Sequence, residues 1–228
     1  MADLVKVAQA ALTPDRSRAL KHVSTSQVDL FTRCQRLWYF QYVDKIKPPP
    51  SPAMQRGTDI HARMEKWGKT GELPDEKDEY YELTKQAAAA MELEISGREN
   101  LINEHGFELP TFEGGPKWVG FIDVLDPEPA YNENLREKWD CRVHDYKTIS
   151  DFRYTKTPEE IRENPQLLCY AKFCMDEEPT VERVAIGHVY LRTKAPARVL
   201  MPPPVIVERA HVEQKWQESL DTVREMVA

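Results

Sequence analysis

Residues 120–125, Gly-Phe-Ile-Asp-Val-Leu, set a carboxylate inside a segment that otherwise reads as a buried strand. An unpaired charge there is costly, so the fold must bring a compensating cation to Asp123. A second acid lies downstream, in Val143-His144-Asp145-Tyr146-Lys147-Thr148. Alternate residues of a strand share a face, so Asp145 and Lys147 point together while Tyr146 points the other way. Taken alone, this pair also reads as a simple ion pair. If the two strands are neighbours, Asp123 and Asp145 can share one divalent ion, and hard oxygen ligands of this kind suit magnesium or manganese. Such an ion activates water and stabilises charge developing on a phosphate; Lys147 adds positive charge at the same place.

The surrounding pattern is that of an α/β chain. Hydroxyl residues Ser24-Thr25-Ser26 precede Val28, Phe31, Trp38 and Tyr42 at helical spacing, which predicts a helix ending before Pro48-Pro49-Pro50. Two further helices are expected at about 52–69, stopping near Gly71, and from Asp75 to about Ile95. Strands are expected at 102–109, 117–125 and 140–147, with a polar loop over 126–139. Thr157-Pro158-Glu159-Glu160 and Asn164-Pro165 each read as helix starts. Strands at 181–191 and 204–210 and an amphipathic helix from Val212 complete the series. Helices, three strands, helix, strands, helix predict a mixed sheet with helices packed on it.

The net charge of −7 hides a division along the chain. Residues 1–70 carry a net +6, residues 71–180 a net −14 and residues 181–228 a net +1. A basic first third is compatible with a local positive surface despite the acidic total, and equally with solvated charge that has no partner. No apolar run approaches the ~20 residues that span a bilayer, and the first residues lack a secretion signal's pattern, so a cytoplasmic protein without membrane contact is expected. Four scattered cysteines, Cys34, Cys141, Cys169 and Cys174, make neither a disulfide framework nor a CxxC zinc pattern.

Five elements in order resemble the PD-(D/E)XK nucleases, and within them the RecB-type branch. Asp123 stands in the Gly-x-Ile-Asp context of the first motif, and Asp145-Tyr146-Lys147 is similar to the (D/E)-x-K element. Gly57-Thr58-Asp59-Ile60-His61 resembles the upstream Gly-x-x-x-His signature, and Gln166-Leu167-Leu168-Cys169-Tyr170 the downstream Gln-x-x-x-Tyr element. Residues 26–43 resemble the opening segment. The resemblance covers about residues 24–190.

It implies a restriction-endonuclease-like α/β fold with a helical N-terminal part, in which residues 24–228 form a single nuclease domain after a separate, flexible segment 1–23. It implies metal ligands His61, Asp123, Asp145 and Tyr146 for Mg2+ or Mn2+, with Asp123, Asp145, Lys147, Gln166 and Tyr170 in catalysis. Gln166 and Tyr170 share a helix face, which ordinary packing also explains. Glu104 or Glu108 matches an additional acid of some relatives, and the sequence does not choose between them. The implied function is a divalent-metal-dependent deoxyribonuclease, an exonuclease or single-strand nuclease of recombination, repair or phage DNA metabolism, in a bacterial or phage-infected cell. Its expected partner is DNA, single-stranded or at a duplex end, with a homo-oligomer or a recombination protein beside it. The alternatives are an inactive nucleic-acid-binding or assembly module that keeps the fold, and a metal-dependent hydrolase of another substrate. Some relatives hold a four-iron cluster with one early and three late cysteines. Only Cys34 has such a place, so no iron–sulfur cluster is expected.

Overall fold

A polar side chain can take over where two strands stop pairing, and the fold of this chain is arranged around one such place. The structure is a computed structural model and describes residues 20–94, 100–132 and 136–228. Most of the expected N-terminal segment 1–23 lies outside the described residues. The chain divides into two compact units, one of Met1–Pro48, Glu108–Val119 and Gln217–Ala228, the other of Pro49–Phe107 and Gly120–Trp216.

In the first unit, β1 (His22–Val23) pairs in parallel with the start of β3 (Lys117–Asp126). The helix expected to run unbroken to Pro48 is interrupted. Helix α1 (Thr25–Arg33) stops at Cys34, whose backbone is extended, and α2 (Gln35–Trp38) leads into a single π-helical turn, Tyr39–Val43. The break lets the Phe31 and Trp38 rings meet edge to face at 5.1 Å.

The second unit carries the central sheet. Here β6 (Cys141–Ile149) and β7 (Arg183–Arg192) pair in parallel from Cys141↔Val184 to Ile149↔Arg192. Parallel neighbours need a long crossover. It is supplied by α5 (Pro158–Arg162) and α6 (Pro165–Glu177). On its other side β6 pairs antiparallel with β3, from Val124↔His144 to Asp126↔Arg142. Strand β2 (Ile102–Leu109) pairs with β3. Short strands β8 (Arg198–Leu200) and β9 (Val205–Glu208) pair antiparallel with β7, and α7 (Arg209–Val227) follows. The sheet is mixed, as expected. Buried over Val184–Leu191, β7 reads Val-Ala-Ile-Gly-His-Val-Tyr-Leu, the composition of a strand covered on both faces.

Helices cover those faces. On one side, Ile60, Met64 and Trp67 of α3 (Pro52–Thr70) repeat at helical spacing and pack with Leu83, Ala87 and Met91 of α4 (Tyr81–Glu94) against Val124, Tyr146, Val189 and Leu191. Asp145, one residue from Tyr146, faces the opposite side, where the Tyr170 hydroxyl of α6 reaches it. Helix α6 is buried from Leu167 to Met175, and the Asn164 carboxamide caps it by accepting from the N–H groups of Gln166 and Leu167. Ser51 caps α3, and Gly71 ends it in the left-handed conformation, φ 74°.

Two further differences from expectation have local causes. Helix α4 starts at Tyr81 rather than Asp75, because the Asp75 carboxylate takes the Lys77 N–H and that of Asp78 takes the Tyr80 N–H, closing turns instead of a helix. The expected loop 126–139 contains a hairpin, β4 (Ala130–Asn132) with β5 (Glu137–Trp139), and buried Trp139 packs on Ala185 and Ile206. The expected end of α4 at Ile95 lies outside the described residues. No helix among the described residues is long and apolar enough to cross a membrane.

Candidate active site

The β3–β6 ladder ends at Val124↔His144. One residue further, the Asp123 carboxylate accepts the Tyr146 backbone N–H at 2.7 Å, so a side chain replaces the backbone partner. The same residue's carbonyl oxygen lies 2.9 Å from Nε2 of His61, whose Nδ1 is 3.5 Å from Asp123. A carbonyl only accepts, so in this arrangement Nε2 carries the hydrogen. His61 reaches the strand because Gly57, one turn earlier on α3, lies tight against β6. A Cβ at Gly57 would meet the Thr148 hydroxyl at 3.3 Å.

Glu104 of β2 completes the group. Ligand atoms of His61, Glu104 and Asp123 lie within 4.8 Å of one another. Glu104 has φ 50°, a left-handed backbone that a non-glycine residue adopts at some cost and that is concentrated at functional sites. Glu108, the other acid considered, is exposed and paired with Lys117. Of the two, Glu104 is therefore the acid at the site.

Beside this group, Asp145 is fully buried and its Oδ2 lies 2.6 Å from Lys147 Nζ. The ammonium also donates to Oε1 of the Gln166 side chain at 2.9 Å, Nε2 of that side chain donates to the Tyr170 hydroxyl at 2.6 Å, and that hydroxyl donates to Asp145 Oδ1 at 3.4 Å. Lys147, Gln166, Tyr170 and Asp145 thus form a closed ring of polar contacts, with Phe107 packed edge to face on the Tyr170 ring.

The electrostatics record a shortage of positive charge. Burial, and then the charge of Asp123, push the Glu104 carboxyl up to about 6. Burial also pushes Asp145 up to about 6; Lys147 opposes this and Asp123 adds to it. Burial alone would lower the His61 imidazole, but the hydrogen bond and charge of Asp123, aided by Asp145 and the Tyr146 carbonyl, outweigh it and raise it. Oxygen donors with one imidazole nitrogen, crowded and incompletely neutralised, fit a divalent cation. His61, Glu104 and Asp123 would hold it, with Asp145 adjoining.

The structure thus gathers His61, Asp123, Asp145, Lys147, Gln166 and Tyr170 in one unit. Tyr146 takes part through its backbone N–H and carbonyl, and its ring packs edge to face on the His61 imidazole at 5.7 Å. Its side chain lies on the far face, buried in the α3–α4 core, with burial raising its hydroxyl. Cys34 is exposed and belongs to the other unit, while Cys141, Cys169 and Cys174 are buried. Arg192 donates to the Pro196 carbonyl and lies over the Phe152 ring. His188 and Tyr190, which no motif marked, lie on the Asp145 face of β7, opposite Asp145 and Lys147. The Tyr190 hydroxyl is 3.1 Å from His188 Nδ1 and accepts the Lys156 N–H at 2.8 Å. The signal that could have found them is two polar side chains at alternate positions of an otherwise apolar strand.

A family model described as the PD-(D/E)XK nuclease superfamily matches residues 22–228. Among solved structures, an Eubacterium rectale protein described as a "Putative exonuclease" superposes with TM-score 0.56 at 11% identity, covering 90% of this chain and 80% of its own. A second, described as SSO0001, has TM-score 0.39 at 11% identity, covering 89% of this chain and 76% of its own. No curated protein sequence matches the chain.

Proposed function

The chain belongs to the PD-(D/E)XK nuclease superfamily, and from that premise we propose a divalent-metal-dependent deoxyribonuclease of the RecB-type branch. We take it to act as an exonuclease or on single strands, in recombination, repair or phage DNA metabolism, in the cytoplasm of a bacterial or phage-infected cell. It would work on DNA as a homo-oligomer or beside a recombination protein. The observation that carries the reading is the convergence of His61, Glu104 and Asp123 next to the Asp145–Lys147 pair.

Hydrolysis of a phosphodiester adds one water, breaks one P–O bond and leaves a phosphate monoester and a hydroxyl. A divalent ion, Mg2+ or Mn2+, held by His61, Glu104, Asp123 and Asp145 would supply Lewis-acid charge to the phosphate and lower the pKa of water. The chain's own groups do the rest. Lys147, half-exposed and held between Asp145 and Gln166, presents a fixed positive charge to the phosphate as negative charge develops. Gln166 and Tyr170 keep that ammonium and the buried Asp145 in place. The Tyr146 peptide, with its N–H on Asp123 and its carbonyl at His61, fixes β6 against both.

Incubating labelled single- and double-stranded DNA with the protein in Mn2+ and Mg2+, beside Asp123→Asn and Lys147→Ala, tests the reading. Cleavage by the wild type, lost in both folded variants, is expected. Metal-independent cleavage, or variants as active as the wild type, would refute it. An inactive binding module is disfavoured because nothing in DNA binding requires the crowded, buried acids to be kept.

A further inference from the structure

Contacts between β2 and β3 define a register. Glu104 approaches Asp123 at the candidate metal group. A Cβ at Gly106 would meet the Phe121 ring at 3.1 Å, and one at Gly120 would meet the Phe107 ring at 2.6 Å. The positions rise on one strand as they fall on the other, the register of an antiparallel pair. Glu104 and Gly106 are two residues apart, as are Asp123 and Phe121. Phe121 therefore stands on the same face of this ribbon as the two carboxylates, about 6.5–7 Å along the strand.

The absent side chain of Gly106 makes room for the Phe121 ring, which remains 63% exposed while Ile122, Val124 and Leu125 beside it are buried. We propose that Phe121 is a stacking platform for a nucleobase of the DNA strand whose phosphate lies at the carboxylates. The proposal rests on the nuclease reading and adds how the substrate strand is held. A nucleotide bridges such a distance from its phosphate to its base. Every base has a flat apolar face, so one aromatic ring holds a strand without reading its sequence. In β2 and β3 the only other exposed large apolar side chain among the described residues is Ile102. A protein partner or second copy would need on the order of 1,000 Å² of complementary surface, which an isolated ring does not supply.

Single-stranded oligonucleotides carrying 2-aminopurine at each position in turn provide the test, with binding followed in Ca2+ and cleavage in Mn2+. Stacking quenches the fluorescence of the analogue. One position is expected to be quenched by the wild type and by Phe121→Tyr, but not by Phe121→Ala or Phe121→Leu. Loss of one stacked base should raise KM about tenfold, with a much smaller effect on kcat. An abasic site at the quenched position should abolish the KM difference between wild type and Phe121→Ala. Quenching independent of residue 121, an unchanged KM, or a change in sedimentation of Phe121→Ala in place of a KM change would overturn the proposal. The two readings fail separately. Phe121-dependent quenching without cleavage by the wild type keeps the platform and removes the nuclease, whereas cleavage with no dependence on Phe121 does the reverse.

Discussion

Asp123 accepts the Tyr146 backbone N–H at 2.7 Å, one residue beyond the last backbone pair between β3 and β6. The carboxylate is thus both part of the sheet's hydrogen bonding and a proposed metal ligand, and its two roles can be separated. Asparagine keeps an acceptor for Tyr146 but loses the charge; alanine loses both.

Asp123→Asn should therefore fold with near-native stability and lose about 10²–10³ or more in cleavage rate. Asp123→Ala should lose as much activity and also about 1–3 kcal/mol of stability, because a buried N–H is left without a partner. Asp145→Ala and Lys147→Ala should be equally inactive. Denaturant titration beside single-turnover cleavage measures both quantities, and a folded, active Asp123→Asn would remove the charge from the mechanism.

Glu104→Ala should weaken Mn2+ binding at least about tenfold, and Glu108→Ala should leave it unchanged. Calorimetric titration of the two variants decides the assignment. Equal affinities would mean that Glu104 lies near the ion without holding it.

The placement of Asp145 beside Lys147 was legible because strand periodicity alone puts them on one face of β6, and the expected bounds of β2 coincide with the observed strand. The choice between Glu104 and Glu108 was not legible. It depends on cross-strand register and on the positive φ at Glu104, and neither leaves a mark in local composition. The interruption at Cys34 was hidden for a similar reason. Phe31 and Trp38 keep helical spacing, so the extended backbone at Cys34 that breaks the helix between them leaves no mark in the pattern. Tyr146 shows a third limit. Alternation put its side chain on the far face, but that its peptide would meet both Asp123 and His61 required the tertiary position of α3.

Gln166 touches both Lys147 and Tyr170, so Gln166→Ala should lower kcat about 10–100-fold while changing KM little. Tyr170→Phe keeps the ring on Phe107 and should cost less. Steady-state kinetics of both variants check this. A rise in KM with kcat preserved would instead make these side chains substrate contacts.

An imidazole among oxygen ligands shifts preference from magnesium towards manganese. Activity should be higher in Mn2+ than in Mg2+ at equal concentration, and low in Ca2+. His61→Ala should lose metal affinity, and His61→Asp should recover part of the activity with a narrower manganese advantage. Wild-type affinity in His61→Ala would make His61 an ordinary helix residue.

Asp145 and Glu104 are raised in the folded protein to about 6, from 3.8 and 4.5, and His61 is raised above 6.5. Each therefore favours folding most in its protonated form. That contribution is complete below the unfolded pKa and is lost as pH rises through the folded one, from about 4 to 6 for the acids and above 6.5 for His61. His144 and His188 pull the other way, since burial pushes both down to about 3 and their contribution is lost as pH falls below 6.5. Asp78, held low by Arg63, matters only in stronger acid. A bare melting curve mixes these opposing effects. The rise in Tm caused by Mn2+ isolates the site, because His144 and His188 contribute alike with and without the ion. Binding requires the acids ionised and the imidazole neutral, so the increment should be small at pH 5 and large at pH 7.5. At an ion concentration 100 times Kd it corresponds to about 2.7 kcal/mol. Calorimetry in chelator and in Mn2+ at both pH values measures it, and Glu104→Gln/Asp145→Asn should reduce its pH dependence to the part that protonation of His61 imposes. An equal increment at pH 5 and 7.5 in the wild type would place the ion away from these three residues.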